Sequence, residues 1–323
     1  MRKKADRSRT LVFILIATCL MVLIDRVFMP PERGPAEEQA VVAEAVPVAD
    51  TEQEIKPEFA PPLEFSLTPL EEEEEEIAAE AQAEQPLWIR NAVPSAVPKD
   101  HPRVVIIIDD MGVDRAHTRE AMTLPAPITF AFLPYADDLK EQTEAARVKG
   151  HELIVHMPME PMNAALDAGP HVLRPAMPPE EFLNVMEGGL SAFDGYVGIN
   201  NHMGSRMTQD RDGMARVMDV LKARGLLFID SKTIGSSVAE DEARKAGIPY
   251  AGRDVFLDHD ESYEAVTAAL AQMERRALKN GLAIAIGHPK PETIRALREW
   301  LPGLHEKGIE LVPVSAAVTV PED

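Results

Sequence analysis

Cysteine is almost absent from this chain. The only one among 323 residues, Cys19, lies inside an apolar run near the N-terminus. The remainder holds no disulfide and must fold on its own hydrophobic core. It also offers no thiolate, which restricts any metal site to nitrogen and oxygen donors. Positive charge is scarce too: 33 Lys and Arg stand against 54 Asp and Glu, a formal net charge of −21. The first 28 residues carry +4 and residues 29–99 carry −13, which leaves −12 for residues 100–323. So acidic a domain repels phosphate backbones, which argues against nucleic-acid binding. No internal repeat is evident. Long apolar runs are missing as well, apart from LVFILIATCLMVLI, Leu11–Ile24.

That run follows Arg2, Lys3, Lys4, Arg7 and Arg9. A basic region before an apolar one is a targeting segment and not part of the fold. Fourteen helical residues rise about 21 Å, short of a hydrocarbon core of about 30 Å. Arg9 and Arg26 can snorkel, however, and Val27-Phe28-Met29 can lengthen the span. Residues 1–28 are therefore expected to be a signal anchor or a signal peptide. The anchor is preferred, because Ala43-Glu44-Ala45 lies too far downstream to be a cleavage site. The basic flank stays inside, so the rest is expected to be exported to the periplasm, held at the inner membrane by residues 10–29.

Residues 29–99 are rich in proline, alanine and glutamate, including the run Glu71–Glu76. Such a segment cannot bury enough apolar surface to offset its ordering entropy, and it is expected to be a disordered linker. Self-repulsion would extend it as a spacer. PLWIRNAVP, residues 86–94, breaks the polarity and suggests a short arm packing on the domain.

From residue 100 onward the pattern alternates. Apolar, β-branched runs occur at 104–108, 128–133, 152–156, 196–200, 226–230, 254–258, 282–286 and 310–314. Helix-like stretches at 115–122, 137–149, 179–192, 211–224, 238–246, 262–279 and 291–300 separate them. Continuous apolar runs predict strands buried on both faces, and strand–helix alternation predicts a parallel sheet. The fold class is α/β, a distorted (β/α) barrel of about seven strands.

Polar residues collect where these runs stop. The first ends in Asp109-Asp110, the third in His156 and the fourth in Asn200-Asn201-His202. The fifth ends in Asp230-Ser231 and the seventh in Gly287-His288. In a barrel these ends share the rim where active sites sit. Asp258-His259-Asp260 ends the sixth, but an acidic turn in solvent reads the same way. Strand periodicity sends Asp109 and Asp110 to opposite faces unless the chain turns, which Gly112 makes easy. Adjacent carboxylates repel unless one takes a proton or a cation lies between them. A divalent ion would leave one ligand and one free base. Asp110, His156 and His202 would then form a three-ligand site with an open position for water. Asp114 is the better-placed helix cap. Asn200 and Asn201 could position His202, donate to a substrate, or form a turn. Ser205 and Arg206 follow Gly204, where a ligand could approach the backbone; Arg206 could equally pair with a nearby acid. His288 could protonate a leaving group or rest against a carbonyl. Asp230 could orient His288 or cap a turn.

Five ordered motifs resemble the divergent polysaccharide deacetylases, within the polysaccharide deacetylase and carbohydrate esterase superfamily. They are VVIIIDDMG (104–112), GHELIVHMPMEP (150–161), GINNHMGSR (198–206), FIDSKT (228–233) and AIGHP (285–289). The resemblance covers roughly residues 103–316. It implies a distorted barrel, one divalent metal, usually zinc, Asp109 as base, Asp110 and His156 as ligands, and His288 as acid. The established deacetylases place two ligand histidines four apart, whereas here Glu160 follows His156. His202, from the next strand, is expected to replace the missing ligand. Pro158 argues against a helical His156–Glu160 pair, and Glu160 is left as a ligand, a support for one, or a substrate contact.

The expected function is metal-dependent removal of acetyl groups from an exported polysaccharide or a peptidoglycan-type cell-wall glycan. The other reading is a non-catalytic envelope module that keeps the barrel and metal site and binds glycan or an envelope protein partner.

Overall fold

The computed structural model describes residues 85–321. The expected targeting segment and most of the expected linker lie outside the described residues. Among the described residues, no helix is long and apolar enough to cross a membrane.

A single helical turn, α1 (Leu87–Arg90), precedes β1 (Arg103–Met111), α2 (Arg115–Ala121), β2 (Thr129–Phe132), α3 (Leu139–Val148) and β3 (Glu152–Met159). Next come α4 (Pro179–Leu190), β4 (Gly198–Met203), α5 (Arg211–Arg224), β5 (Leu227–Asp230), α6 (Ala239–Ala246) and β6 (Tyr250–Gly252). The chain closes with β7 (Val255–Phe256), α7 (Tyr263–Asn280), β8 (Leu282–Gly287), α8 (Pro291–Trp300) and β9 (Glu310–Leu311). Strand order is β6-β5-β4-β3-β2-β1-β8-β7, with β9 beside β1. Each strand pairing within this sheet is parallel. The eight strands curl into a half-barrel surrounded by helices, open between β6 and β7. The distorted barrel expected from strand–helix alternation is therefore present.

Alternation along each strand sorts the core into two layers. Ile106, Ile108, Phe130, Phe132, Leu153 and Val155 join the cluster that meets the helices. Val105, Ile107, Ala131, Ile154, Ile284 and Ile286 fill the concave side. Burial on both faces is why these strands read as unbroken apolar runs. Both layers are built within the described residues, so this unit carries its own core and is expected to fold alone. The helices start and stop as their sequences direct. Asp114 caps α2 by accepting from the backbone N–H groups of Ala116 and His117. Asp210 caps α5, and Gly225 ends it in the left-handed conformation at φ 62°.

Two runs behave differently from the expectation. ELVPV forms only the two-residue β9, after which Val312 and Val314 turn into the concave layer. β6 was not foreseen, since three residues flanked by Pro249 and Arg253 make no apolar run. The arm expected within residues 86–94 falls among the described residues. Residues 86–97 pack on the domain: Trp88, Ala92 and Val97 lean on the concave layer, and the Trp88 N–H donates to the Gly225 carbonyl at 2.9 Å.

Glu152, at the start of β3, ties both terminal segments to the sheet. Its fully buried carboxylate accepts from Val93 N (3.1 Å), Ser315 N (3.0 Å) and Ser315 Oγ (2.5 Å). Burial pushes its pKa up, and the hydrogen bonds from Ser315 and Val93 offset that only in part. Glu152→Ala strands the Val93 and Ser315 donors and should lower unfolding free energy by about 3 kcal/mol in urea titrations. Next to it, His151 is buried, and its Nδ1 accepts from Ile128 N at 3.3 Å, which requires the neutral ring. Burial lowers its pKa from 6.5 to about 4. The unfolded chain takes up this proton first, so stability present above pH 6.5 is lost as pH falls toward 4. At pH 5 this amounts to about 2 kcal/mol. Urea midpoints at pH 7 and pH 5 should converge in His151→Gln relative to the parent chain; an equal fall in both would contradict the assignment.

Candidate metal centre

β1 delivers Asp109 and Asp110 to the rim in a way strand geometry alone forbids. Val105, Ile107 and Asp109 share the concave side, so Asp110 should face the helices. Instead Asp110 adopts a left-handed backbone, φ 56°, and the β1–β2 register shifts between Ile108 and Met111. This irregularity turns Asp110 back beside Asp109. The sequence reading placed the turn at Gly112; Gly112 does sit at φ 102°, yet the reversal is made inside the strand by Asp110 itself. A non-glycine residue there is strained by about 1–2 kcal/mol, as backbone at functional sites often is.

β3 supplies His156 on the same concave row as Glu152 and Ile154. Opposite it in the β3–β4 register stands Asn200, with His202 two residues further along β4. His156 Nδ1 donates to Asn200 Oδ1 at 2.7 Å, which turns Nε2 toward the rim. Asn200 Nδ2 donates to Asp109 Oδ1 at 2.7 Å and to Ser231 Oγ at 3.2 Å.

Three ligand-type atoms then face one another. Asp110 Oδ1 lies 3.2 Å from His156 Nε2 and 3.0 Å from His202 Nδ1, and the two nitrogens are 3.0 Å apart. Asp110, His156 and His202 are the cluster with metal-holding geometry among the described residues. Asp110 Oδ1 is buried and has no hydrogen-bond partner of good geometry, an arrangement that costs about 1–3 kcal/mol when left so. Zinc bonds of about 2.0–2.2 Å in tetrahedral array put neighbouring ligand atoms about 3.3 Å apart. The donor set, its spacing and the orphaned oxygen all fit a divalent cation.

The charges around the triangle are sharply divided. Burial raises the pKa of Asp109. Burial acts the same way on Asp110, but the adjacent imidazoles of His156 and His202 hold it far below the usual carboxylate range. Burial opposes charge on His156, yet Asp109 and Asp110 raise its pKa. On the other side, at the end of β8, His288 Nε2 points at Asp110 Oδ2 from 3.8 Å. Its Nδ1 is 2.9 Å from Asp258 Oδ1, and Asp258 Oδ2 accepts from His288 N and Thr293 Oγ. Burial disfavours the imidazolium, but the Asp258 hydrogen bond and carboxylate charges prevail and lift its pKa to about 9.

Asp258 is the residue that sequence reasoning passed over as a solvated turn; it is 4% exposed. The available signal was its place directly after the apolar DVFL run. Tyr135 was also missed; it borders a pocket of about 380 Å³ shared with Asp110, His202 and His288. Asp230 does not orient His288. It caps its own turn by accepting from Lys232 N at 2.7 Å, with Tyr250 Oη at 3.4 Å from its other oxygen. Asn201 holds strand ends together, accepting from Ser231 N and donating to the Met203 carbonyl. Glu160 stands outside the triangle, 3.3 Å from Arg206 Nε, while Ser205 Oγ accepts from Met162 N. These three residues brace a surface loop.

The fold and rim define a class of α/β half-barrel proteins with a candidate three-ligand site at the strand C-termini. The model of the divergent polysaccharide deacetylase family matches residues 106–318, and the chain belongs to that family. The uncharacterized protein YibQ of Escherichia coli (strain K12) is 34% identical over 220 residues, 68% of each chain. An uncharacterized protein of Haemophilus influenzae is 34% identical over 212 residues, 65% of this chain and 74% of that one. The crystal structure of the uncharacterized protein ATU2773 from Agrobacterium tumefaciens C58 superposes with a TM-score of 0.70 at 27% identity. That superposition covers 72% of this chain and 95% of the other.

His202→Ala should weaken zinc binding at least about a hundredfold, measured by competition with a chromophoric chelator, whereas Glu160→Gln should leave it unchanged. Retained affinity in His202→Ala would remove His202 from the ligand set.

Proposed function

We propose that the protein is a metal-dependent hydrolase that removes acetyl groups from an exported polysaccharide or cell-wall glycan. The observation that carries this reading is the Asp110–His156–His202 triangle flanked by Asp109 and His288. A zinc or similar ion held there would acidify water and polarise the acetyl carbonyl. Asp109 is fixed through Oδ1 by Asn200, which leaves Oδ2 to accept the proton of the attacking water. His288, kept charged by Asp258, donates its Nε2 proton to the departing amine or alcohol. A buried carboxylate with a raised pKa and an imidazolium with a raised pKa divide the base and acid roles between them. Family membership supports a glycan substrate. The basic flank and apolar run of residues 1–28 support export, with residues 10–29 holding the hydrolase at the inner membrane facing the periplasm.

Acetate release from N- and O-acetylated glycans by the metal-loaded protein tests the reading. Asp109→Asn should lower kcat about a thousandfold with metal still bound. Metal-loaded protein that releases no acetate from either class would favour the glycan-binding module, the reading that the Glu160 departure keeps in play.

A further inference from the structure

Next to the pocket over the triangle lies a larger cavity of about 670 Å³, within the range of small-molecule sites. The two share Tyr135 as a wall. Leu133 and Pro134, at the end of β2, line the smaller pocket and the larger cavity in turn, and Met157 reaches the larger one from the helix-facing side of β3. The walls are mostly apolar, formed by Pro134, Met157, Pro170, Pro178 and Val185. No lysine or arginine lines it, and its carboxylates, Glu180 and Glu181, are exposed. Phosphate or carboxylate groups would meet the repulsion of two carboxylates there, with the imidazole of His171 as the one basic side chain on the lining.

The helix face on this cavity has a particular composition. Glu181, Asn184, Val185 and Gly188 recur at spacings of three and four along α4, so they share one face. A Cβ on Gly188 would meet nothing within 4 Å, so the space beside that helix turn is open. At Gly189 a Cβ would come within 2.6 Å of Met157 Cε; the missing side chain is what lets the methionine form the floor.

We propose that this cavity is a second substrate pocket that takes an uncharged aliphatic chain, so the preferred substrate is an amphiphilic glycan and not a purely hydrophilic polymer. The proposal rests on the hydrolase reading of the adjacent triangle, but occupancy can be measured without turnover. Residues 85–323 titrated calorimetrically with butyl, hexyl and octyl β-glucoside below their micelle concentrations should bind about three- to fourfold tighter per added buried methylene. Gly188→Phe, which fills the open space in a helix that tolerates the change, should weaken octyl glucoside binding at least tenfold. Melting temperature and zinc content serve as folding controls; Val185→Asp provides a second, independent block. Affinity that ignores chain length, or that survives both substitutions, would overturn the proposal. So would chitobiose binding as tightly as octyl glucoside and being displaced by Gly188→Phe, because the pocket would then hold a sugar. Faster cleavage of octanoyl than acetyl sugar esters would place the scissile acyl chain in the cavity. Inhibition that grows with alkyl length, without that preference, would place a chain from elsewhere on the substrate there. Chain-length-dependent binding with no hydrolysis of any ester or amide would uphold the cavity and remove the hydrolase.

Discussion

Both ends of the Asn200 amide are committed, and the rim depends on that. Its oxygen takes the Nδ1 proton of His156, and its nitrogen donates to Asp109 and Ser231, all without solvent access. One neutral side chain thereby fixes which imidazole nitrogen looks at Asp110 and which oxygen of Asp109 stays free. A residue of the same shape without both donor and acceptor would leave a buried imidazole or carboxylate unanswered, which is costlier than a missing surface contact. Ligand-orienting partners of this kind decide the behaviour of a metal site as much as the ligands do.

No histidine stands four residues after His156, and the sheet brings one beside it from the next strand. β3 is extended through Met159, so His156 and Glu160 do not share a helical face. The neighbouring strand offers a substitute because the β3–β4 register pairs His156 with Asn200 and Pro158 with His202. His202 thus arrives diagonally opposite His156, at a nitrogen–nitrogen distance of 3.0 Å. Glu160 instead pairs with Arg206, and its carbonyl accepts from Arg206 N and Met207 N. These contacts firm the loop that follows β4.

At the opposite end of the sheet, Glu152 serves an architectural purpose with similar economy. Four residues before His156 on the same row, it gathers the N-terminal arm and the returning C-terminal segment against the concave core. The half-barrel is open between β6 and β7, and the Tyr250–Thr319 bridge brings the C-terminal segment onto the exposed edge of β6. An unpaired strand edge is a liability that such a cover reduces.

The parallel sheet, most of its strands and the longer helices were legible in the sequence because both-face burial leaves long apolar runs and those helices have their own periodicity. By contrast, α1 and β6 left no such mark. Asp109, Asp110, His156, His202 and His288 were legible as rim residues because each ends a run, and barrel geometry gathers run ends. Only tertiary structure decided the partners. Asp258 and His288 are thirty residues apart, and Asp230, the nearer guess in chemistry, turns to its own backbone. The left-handed bend at Asp110 is a choice of one residue's φ, unmarked by any glycine at that position. Local pattern determines where a polar side chain leaves the core; the register of the adjoining strands and the strain they tolerate determine what it meets.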